Sequence, residues 1–213
     1  MHRCGLPVIF SLMAPMAMAQ DFTPDSLWGL RAGLGSDVTP KVRETIEPNA
    51  GGETVVNWGS ADSQGRRFHV GLWNYRPAPN GFLVGVEVAY TTATLGGSSS
   101  FAGSQGYRKV SGDLLAGWQW GLTGERGVRG HVEVTPLVGI GQGWLTVGDA
   151  RALTYEYGLR TGAFIDERGW TVGALLSYIR GWSTISTSSA TADNTLKLTA
   201  EGFRFGLEAG YSF

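Results

Sequence analysis

The residues whose types and spacing could do chemistry are His131 and Glu133, which lie two apart in the chain. Alternate residues of a strand point to the same face, so an imidazole and a carboxylate placed this way could act as general base and orienting group beside a serine. The histidines make a poor metal site, because no second pair of soft ligands accompanies them. We therefore expect no catalytic, cofactor or metal site at this pair.

Other charged residues are expected on the inward faces of the strands that are predicted below, together with this pair. The set comprises Arg31, Glu87, Asp113, Arg129, His131, Glu133, Glu156, Arg160, Arg204 and Glu208. Its arginines and carboxylates nearly cancel in charge. Buried charges persist only when they are paired and hydrogen-bonded, so the set predicts a polar network inside the fold.

The elements that must position these residues are strands, and the carboxyl-terminal stretch Gly202–Phe213 shows their pattern most clearly. One face of it carries Phe203, Phe205, Leu207, Ala209, Tyr211 and Phe213, and the other carries Arg204, Glu208 and small residues. This is the period-two alternation of a β-strand. The apolar face would meet a second sheet in a soluble sandwich, or lipid in a transmembrane barrel.

The amino end has the features of a secretory signal. His2 and Arg3 are followed by an apolar run from Leu6 to Met18, and the segment ends with a small residue at Ala19. We expect cleavage after Ala19, which leaves residues 20–213 as one domain. Cys4 precedes the apolar run, so it does not mark a lipoprotein. The exported product would contain no cysteine and hence no disulfide.

Composition narrows the class further. The whole chain has 17 basic and 18 acidic residues, and this balance argues against a nucleic-acid partner. Glycine, at 33 of 213 residues, and tryptophan, at eight, are both abundant. No apolar run is long enough to cross a bilayer as a helix. These features favour strands that alternate between lipid and an interior.

The alternating pattern predicts eight strands, each long enough to supply the about nine to eleven residues that a tilted crossing of a bilayer needs. They are Leu27–Gly35, Arg66–Arg76, Phe82–Thr92, Tyr107–Leu122, Val128–Ile140, Ala152–Ile165, Trp170–Arg180 and Gly202–Phe213. A change of phase within the second strand predicts a bulge near Leu72, and the ladder donor that Pro136 lacks predicts another at that proline.

The predicted connections alternate in length. The long ones are Asp37–Gly65, Ala93–Gly106, Gly141–Arg151 and Gly181–Ala200, and the short ones are Pro77–Gly81, Thr123–Gly127 and Asp166–Gly169. The sequence therefore predicts an all-β fold, an eight-stranded antiparallel transmembrane β-barrel with short periplasmic turns and long extracellular loops. Aromatic residues near the strand ends predict two interfacial girdles, made by Trp118, Trp120, Tyr155, Tyr157, Trp170, Tyr178, Tyr211 and Phe213.

The leader, the eight strands, the three short turns and the final Phe213 resemble the small eight-stranded bacterial outer-membrane barrels. This porin-like group includes the OmpA transmembrane domain, OmpX and the opacity or attachment-invasion proteins. The opening segment Trp28–Pro40 also loosely resembles the OmpW group. The resemblance implies a location in the outer membrane, contact with outer-membrane lipid and lipopolysaccharide, and recognition of the last strand, with Tyr211 and Phe213, by the barrel-assembly machinery.

Function is expected to be non-catalytic. An eight-stranded barrel has an interior that side chains fill, so the charged set favours a polar plug over a narrow solute channel, which remains the alternative. A lipid A-modifying enzyme is a further alternative, but the His-x-Ser arrangement of the barrel deacylases is absent, because Glu133 and Gly71 stand two residues after His131 and His69. We expect the loops to present a surface for an external ligand, with no cofactor.

Overall fold

The computed structural model describes residues 28–57, 65–75, 81–96, 105–122, 129–145, 151–188 and 192–213. The predicted signal segment, residues 1–19, lies outside this part of the chain, so its cleavage stays a prediction. Most of the turn predicted at Pro77–Gly81 and all of the turn predicted at Thr123–Gly127 also lie outside it.

The described residues form strands and no helix. In chain order the strands are β1 (Trp28–Asp37), β2 (Lys41–Pro48), β3 (Thr54–Asn57), β4 (Gly65–Tyr75), β5 (Phe82–Leu95), β6 (Gln105–Leu122), β7 (Arg129–Leu145), β8 (Arg151–Glu167), β9 (Trp170–Ser188) and β10 (Ala192–Ser212). Accordingly, none of these segments offers a helix suited to crossing a membrane.

Eight of the strands form a closed antiparallel ring in the order β1-β4-β5-β6-β7-β8-β9-β10. The ring closes where β1 pairs with β10, from Gly29 opposite Ser212 to Gly35 opposite Gly206. We call this pairing the seam. The predicted all-β fold with eight antiparallel strands in a ring is therefore confirmed.

Alternation along each strand sorts the side chains between the two faces of the ring. On β1 the exposed residues Trp28, Leu30 and Leu34 alternate with buried Arg31 and other inward positions. The closest inward positions require glycine: a Cβ at Gly35 would lie 2.1 Å from the carbonyl oxygen of Phe205 across the seam. The small inward residues thus allow the strands to close around a filled interior.

The turn predicted at Asp166–Gly169 is confirmed as a two-residue hairpin. Arg168 and Gly169 have φ values of 51° and 85°, and they join Glu167 to its strand partner Trp170. Two consecutive positive φ values are those of a type I′ turn, whose twist matches the twist of the paired strands.

The predicted strand lengths and long loops need correction, because the strands continue far into the segments assigned to loops. Strands β6 to β10 contain 17 to 21 residues. The segment Gly181–Ala200 is mostly strand, because β9 runs to Ser188 and β10 begins at Ala192. Serine, threonine and charged residues conceal the pattern there, but backbone pairing does not need apolar side chains.

The other three predicted loops are also shortened. The segment Asp37–Gly65 contains β2 and β3, which pair with each other. Strand β5 enters Ala93–Gly106 as far as Leu95, and β7 enters Gly141–Arg151 as far as Leu145. The described strands on this side are therefore longer than predicted.

Strand β2 continues the edge begun by β1. Both pair with β10: β1 with its second half and β2 with its first half, from Lys41 opposite Thr199 to Pro48 opposite Ala192. Between the two pairings, residues 36–40 face residues 200–205, so β10 contributes one residue more. The inward phase accordingly changes from odd numbers on β1 to even numbers on β2.

The two predicted bulges are absent. Strand β4 pairs without interruption with β1 and β5, and its register leaves Phe68, Val70 and Leu72 exposed while Trp73 is fully buried in the interior. At Pro136 the pairing with β6 keeps one register on both sides. The proline lacks a donor for the ladder, yet the strand needs no extra residue to pass it.

Candidate functional site

The interior of the ring contains most of the charged side chains predicted to lie there. Buried on the inner face are Arg31, Glu87, Asp113, His131, Glu133, Glu156, Arg160, Arg204 and Glu208. The side chain of the tenth predicted residue, Arg129, is not among those described. The structure adds Asp37, Arg67, His69, Lys109 and Asp166, which we did not assign to the interior. These fourteen described residues are called the lumen network below.

The interior position of some of these added residues could have been predicted from strand alternation. Lys109 has the phase of Asp113 on β6, and Arg67 and His69 have the phase opposite to exposed Phe68 and Val70. The alternation on β6 thus already placed Lys109 in the interior, and the register of β4 places Arg67 and His69 there. Asp37 lay in a segment assigned to a loop, although it continues the odd-numbered inward phase of β1.

Arg31 anchors the part of the network nearest the chain ends. Its guanidinium donates to both carboxylate oxygens of Glu133, at 3.0 and 2.7 Å, and to Glu208 at 3.3 Å. It also lies over the rings of Trp73 and Phe164, at 4.9 and 4.7 Å from their centroids. Paired carboxylates and aromatic faces are the surroundings that make a buried guanidinium tolerable.

His131 lies between two carboxylates. Its Nε2 is 3.0 Å from Glu133 and its Nδ1 contacts Asp166, while its ring stacks on Phe164 at 4.9 Å. Thr171 donates to the other oxygen of Asp166 at 2.5 Å. A neutral imidazole has only one N–H, so two carboxylate partners favour the doubly protonated ring. Both nitrogens are engaged, and neither is positioned to accept a proton from a nucleophile.

The centre of the network links its two ends. Arg160 pairs with Glu87 and lies 3.3 Å from Oε2 of Glu208, the same oxygen that is 2.8 Å from Nε2 of His69. The Arg160 guanidinium also lies 4.6 Å from the Trp73 ring centroid. Trp73 therefore lies in the interior and contacts two guanidiniums. In the sequence it was the residue that made the inward and outward faces of β4 ambiguous.

The remaining ion pairs lie toward β2 and the prolonged strands. Arg204 donates to both oxygens of Glu156, at 3.0 and 2.8 Å, and also to Asp37. Lys109 donates to Glu156 at 2.5 Å. Arg67 pairs with Asp113 and stands 3.8 Å from Glu156. Arg67 also lies 3.9 Å from Glu87, which joins this group to the centre, so the charges form one connected set.

The charges of the lumen network nearly balance. Its carboxylates are Asp37, Glu87, Asp113, Glu133, Glu156, Asp166 and Glu208, and its permanent cations are Arg31, Arg67, Lys109, Arg160 and Arg204. Protonation of His69 and His131 would make the set neutral. Such mutual pairing offsets the cost of removing the charges from water.

Apolar side chains fill the space that the charges leave. One cluster, toward the prolonged strand ends, contains Val42, Leu95, Tyr107, Leu145, Ala152, Ile185, Leu196 and Leu198. A second contains Trp73, Leu83, Leu115, Leu137 and Ile179. A cavity of about 30 Å³ beside Arg67, His69 and Arg160 has room for about two water molecules. The described interior is thus largely filled by side chains.

His69, Glu87 and Glu208 place their ligand atoms within 4.8 Å of one another, as in a metal site. The donor set does not suit a divalent cation, however, because Arg160 already pairs with both carboxylates and Arg31 pairs with Glu208. A metal ion would have to compete with two buried guanidiniums. We assign this cluster to the ion-pair network.

The outer face carries an uncharged belt of exposed apolar side chains. Examples are Leu34 on β1, Val88 on β5 and Leu207 on β10, each more than 60% exposed. Aromatic residues cluster at its two edges: Trp170 contacts Tyr211 at 5.1 Å near the Arg168–Gly169 turn, and Tyr178 contacts Phe203 at 5.3 Å toward the prolonged strand ends.

The eight girdle residues predicted from the sequence all lie on this outer face. All but Trp120 are largely exposed, and Trp120 is half-buried. Tyr211 and Phe213 stand beside the seam, where the Phe213 amide donates to the Trp28 carbonyl at 2.9 Å. Their use as an assembly signal stays a prediction.

Comparison with known proteins gives matches of fold only. No family model matches the chain, and no curated protein matches its sequence. Neisserial surface protein A has a TM-score of 0.43 at 11% identity, covering 87% of this chain and 97% of its own. The outer membrane protein AlkL gives 0.42 at 14%, covering 92% and 94%.

The attachment invasion locus protein Ail of Yersinia pestis gives a TM-score of 0.37 at 12% identity, covering 87% of this chain and 98% of its own. The predicted barrel fold itself is confirmed by the closed ring of eight antiparallel strands.

Proposed function

We propose that this protein is an integral barrel of the bacterial outer membrane with a sealed interior and no catalytic role, and that its function is to present the projecting ends of its strands outside the cell. The observation that supports the proposal is the combination of an uncharged, apolar outer face with a charged inner face. This is the reverse of the arrangement in a water-soluble protein.

The dimensions of the apolar belt suit a bilayer. On β10 and the residue after it, every outward position from Phe203 to Phe213 is apolar or aromatic. These eleven residues extend over about 33 Å along the strand, which corresponds to about 25 Å of membrane thickness at a tilt of about 40°. Full exposure of so many large side chains to water would cost about 1.5–3 kcal/mol for each.

The packed interior supports a structural plug. Ion pairs cross it from Arg31 near the chain ends to Arg204 and Lys109, and apolar clusters lie beside them. A solute path would have to break several buried pairs at once. This arrangement favours a sealed barrel over a narrow channel.

The parts left to carry a function are the hairpins beyond the belt. Strand β2 pairs with the outer half of β10, β3 pairs with β2, and β9 pairs with β10 on its other side. A rigid sheet that displays short connections is well suited to recognition of an external ligand. We also propose lipopolysaccharide and other outer-membrane lipids as the surroundings of the belt, and the barrel-assembly machinery as a partner of β10 with Tyr211 and Phe213.

Heat-modifiable gel migration of the protein folded in detergent tests the proposal directly. A closed barrel with hydrogen bonds around the ring should resist detergent until boiled, so we expect two bands whose proportions change with heating. A chain that folds as a water-soluble monomer without detergent would contradict the membrane location.

Two further measurements address the alternative functions. Reconstitution in a planar bilayer should give no steady conductance steps, whereas reproducible steps would support a solute channel. The mass of lipid A should be unchanged in cells that express the protein, whereas a mass shift that depends on His131 would support a lipid-modifying enzyme.

A further inference from the structure

Three exposed arginines form one row on the outer face. The strand register places Arg66 on β4 opposite Thr92, Thr92 opposite Arg108 on β6, Arg108 opposite Trp144, and Trp144 opposite Arg151 on β8. The three arginines thus occupy alternate strands, with spacings of about 10 Å. We call Arg66, Arg108 and Arg151 the arginine row.

Each member of the row stands at the edge of the apolar belt. Phe68 follows Arg66 at the next outward position of β4, and Leu153 follows Arg151 on β8, both exposed. On β6 the position after Arg108 is Val110, which is also exposed. The charges therefore lie where the hydrocarbon of a bilayer would give way to lipid headgroups on the side opposite the chain ends.

Among the described strands around the row, no acidic side chain compensates its charge on the outer face. On the described parts of β4 to β8 the carboxylates Glu87, Asp113, Glu133, Glu156 and Asp166 belong to the lumen network, and Glu167 lies at the opposite edge beside the Arg168–Gly169 turn. The other side of the barrel differs, because exposed Arg180 there pairs with Glu201 at 3.3 Å.

We propose that the arginine row binds the phosphate groups of lipid A, the membrane anchor of lipopolysaccharide, in the outer leaflet. The inference rests on the proposed location in the outer membrane and adds a binding surface to it. Guanidinium groups form strong paired hydrogen bonds with phosphate, and a charge at the headgroup level meets the phosphate without entering hydrocarbon. The half-buried Trp144 between two members of the row provides a flat apolar contact for the adjoining lipid.

The test uses the full-length protein folded in uncharged detergent and native mass spectrometry with purified lipid A as the probe. The variant Arg66→Gln/Arg108→Gln/Arg151→Gln should lose roughly fivefold in affinity for each arginine, about a hundredfold in total. Lipid A stripped of its phosphates should bind the wild-type protein as weakly as lipid A binds this variant.

A matched control removes the same number of charges elsewhere on the outer face. Lys41, Arg43 and Lys197 are exposed on β2 and β10 beyond the interruption at residues 36–40, well above Leu34 and the belt. The variant Lys41→Gln/Arg43→Gln/Lys197→Gln should keep lipid A affinity within about twofold. An equal loss in both variants would show that only overall charge matters and would overturn the assignment to the row.

Two outcomes separate the failure of this inference from the failure of the proposed function. If the row variant shows normal heat-modifiable migration and unchanged lipid A affinity, the barrel stands and the row is not a lipid A site. If phosphatidylglycerol vesicles compete as well as lipid A, the row binds glycerophospholipid headgroups and the assignment to lipid A is wrong. If the wild-type protein shows no heat-modifiable form at all, the membrane location itself fails.

Discussion

At the scale of single residues, the interior depends on each charge having a partner of opposite sign. The side chains of Arg31 and Glu133 are each only 1% exposed, and they join strands that lie 102 residues apart in the chain. A fully buried ion pair adds little net stability compared with apolar packing. Removing one partner is strongly destabilising, however, because the other charge stays buried without a partner.

Replacing Glu133 with glutamine tests this dependence. The change leaves Arg31 and His131 without their shared carboxylate, so we expect the free energy of unfolding to fall by about 3–5 kcal/mol. Urea unfolding of the detergent-folded or liposome-inserted protein measures it. The control Glu167→Gln, on an exposed residue, should change stability by less than about 0.5 kcal/mol.

The pair can be separated from simple loss of packing by a double-mutant cycle. Arg31→Met alone should destabilise the protein by a similar amount, because Glu133 and Glu208 then lose a cation. The double variant Arg31→Met/Glu133→Gln should lose less than the sum of the two single losses, by at least about 1 kcal/mol. Strict additivity would show that the two side chains do not depend on each other.

At the scale of the elements, the seam between β1 and β10 is the contact that turns a sheet into a ring. Seven residue pairs close it, from Gly29–Ser212 to Gly35–Gly206. Beyond Gly35 the Ser36 hydroxyl accepts from the Phe205 amide at 3.1 Å, in place of a backbone partner. The seam therefore ends in a side-chain contact, and β2 resumes the backbone pairing at Lys41.

Gly35→Ala should impair closure of the seam. The added Cβ would lie 2.1 Å from the Phe205 carbonyl oxygen and 2.7 Å from Cα of Gly206, so backbone would have to move. We expect a large loss of the heat-modifiable folded form in refolding assays. Gly112→Ala is the matched control, because a Cβ at Gly112 meets nothing within 4 Å. Equal folding of both variants would show that the seam tolerates a wider spacing.

At the scale of the whole molecule, the proposed membrane location gives the two faces and the two ends of the barrel four different environments. In that location the inner face packs on itself, the belt contacts lipid, and the two ends face opposite compartments. The chain ends and the Arg168–Gly169 turn lie at one end, while β2, β3 and the prolonged parts of β9 and β10 lie at the other. Antiparallel hairpins and an even strand number place both termini on the same side.

Cysteine labelling tests this orientation, since Cys4 is the chain's single cysteine and can be removed as Cys4→Ser. In that background Lys197→Cys should react with a membrane-impermeant maleimide on intact cells. Glu167→Cys should react only after the outer membrane is permeabilised, and Leu207→Cys, within the belt, should stay unreactive in both conditions. Labelling of Glu167→Cys on intact cells would reverse the proposed orientation.

The sequence by itself determined which face of each strand is apolar and which is charged, because side-chain direction alternates strictly along a strand. Nine of the ten residues expected in the interior are therefore found there, and the ring of eight strands follows from the number of alternating segments.

Only the tertiary structure decided which charges meet and where the strands end. Arg31 pairs with Glu133, whereas Arg160 pairs with Glu87. The register and stagger of the strands around the ring decide this, because they set the height of each side chain along the barrel axis. Beyond the belt on β9 and β10, the few apolar residues point inward, as Ile185, Leu196 and Leu198 do, and serine, threonine and charged residues point outward. The outward apolar pattern of the belt therefore ends there, although the backbone pairing of β2, β3, β9 and β10 continues.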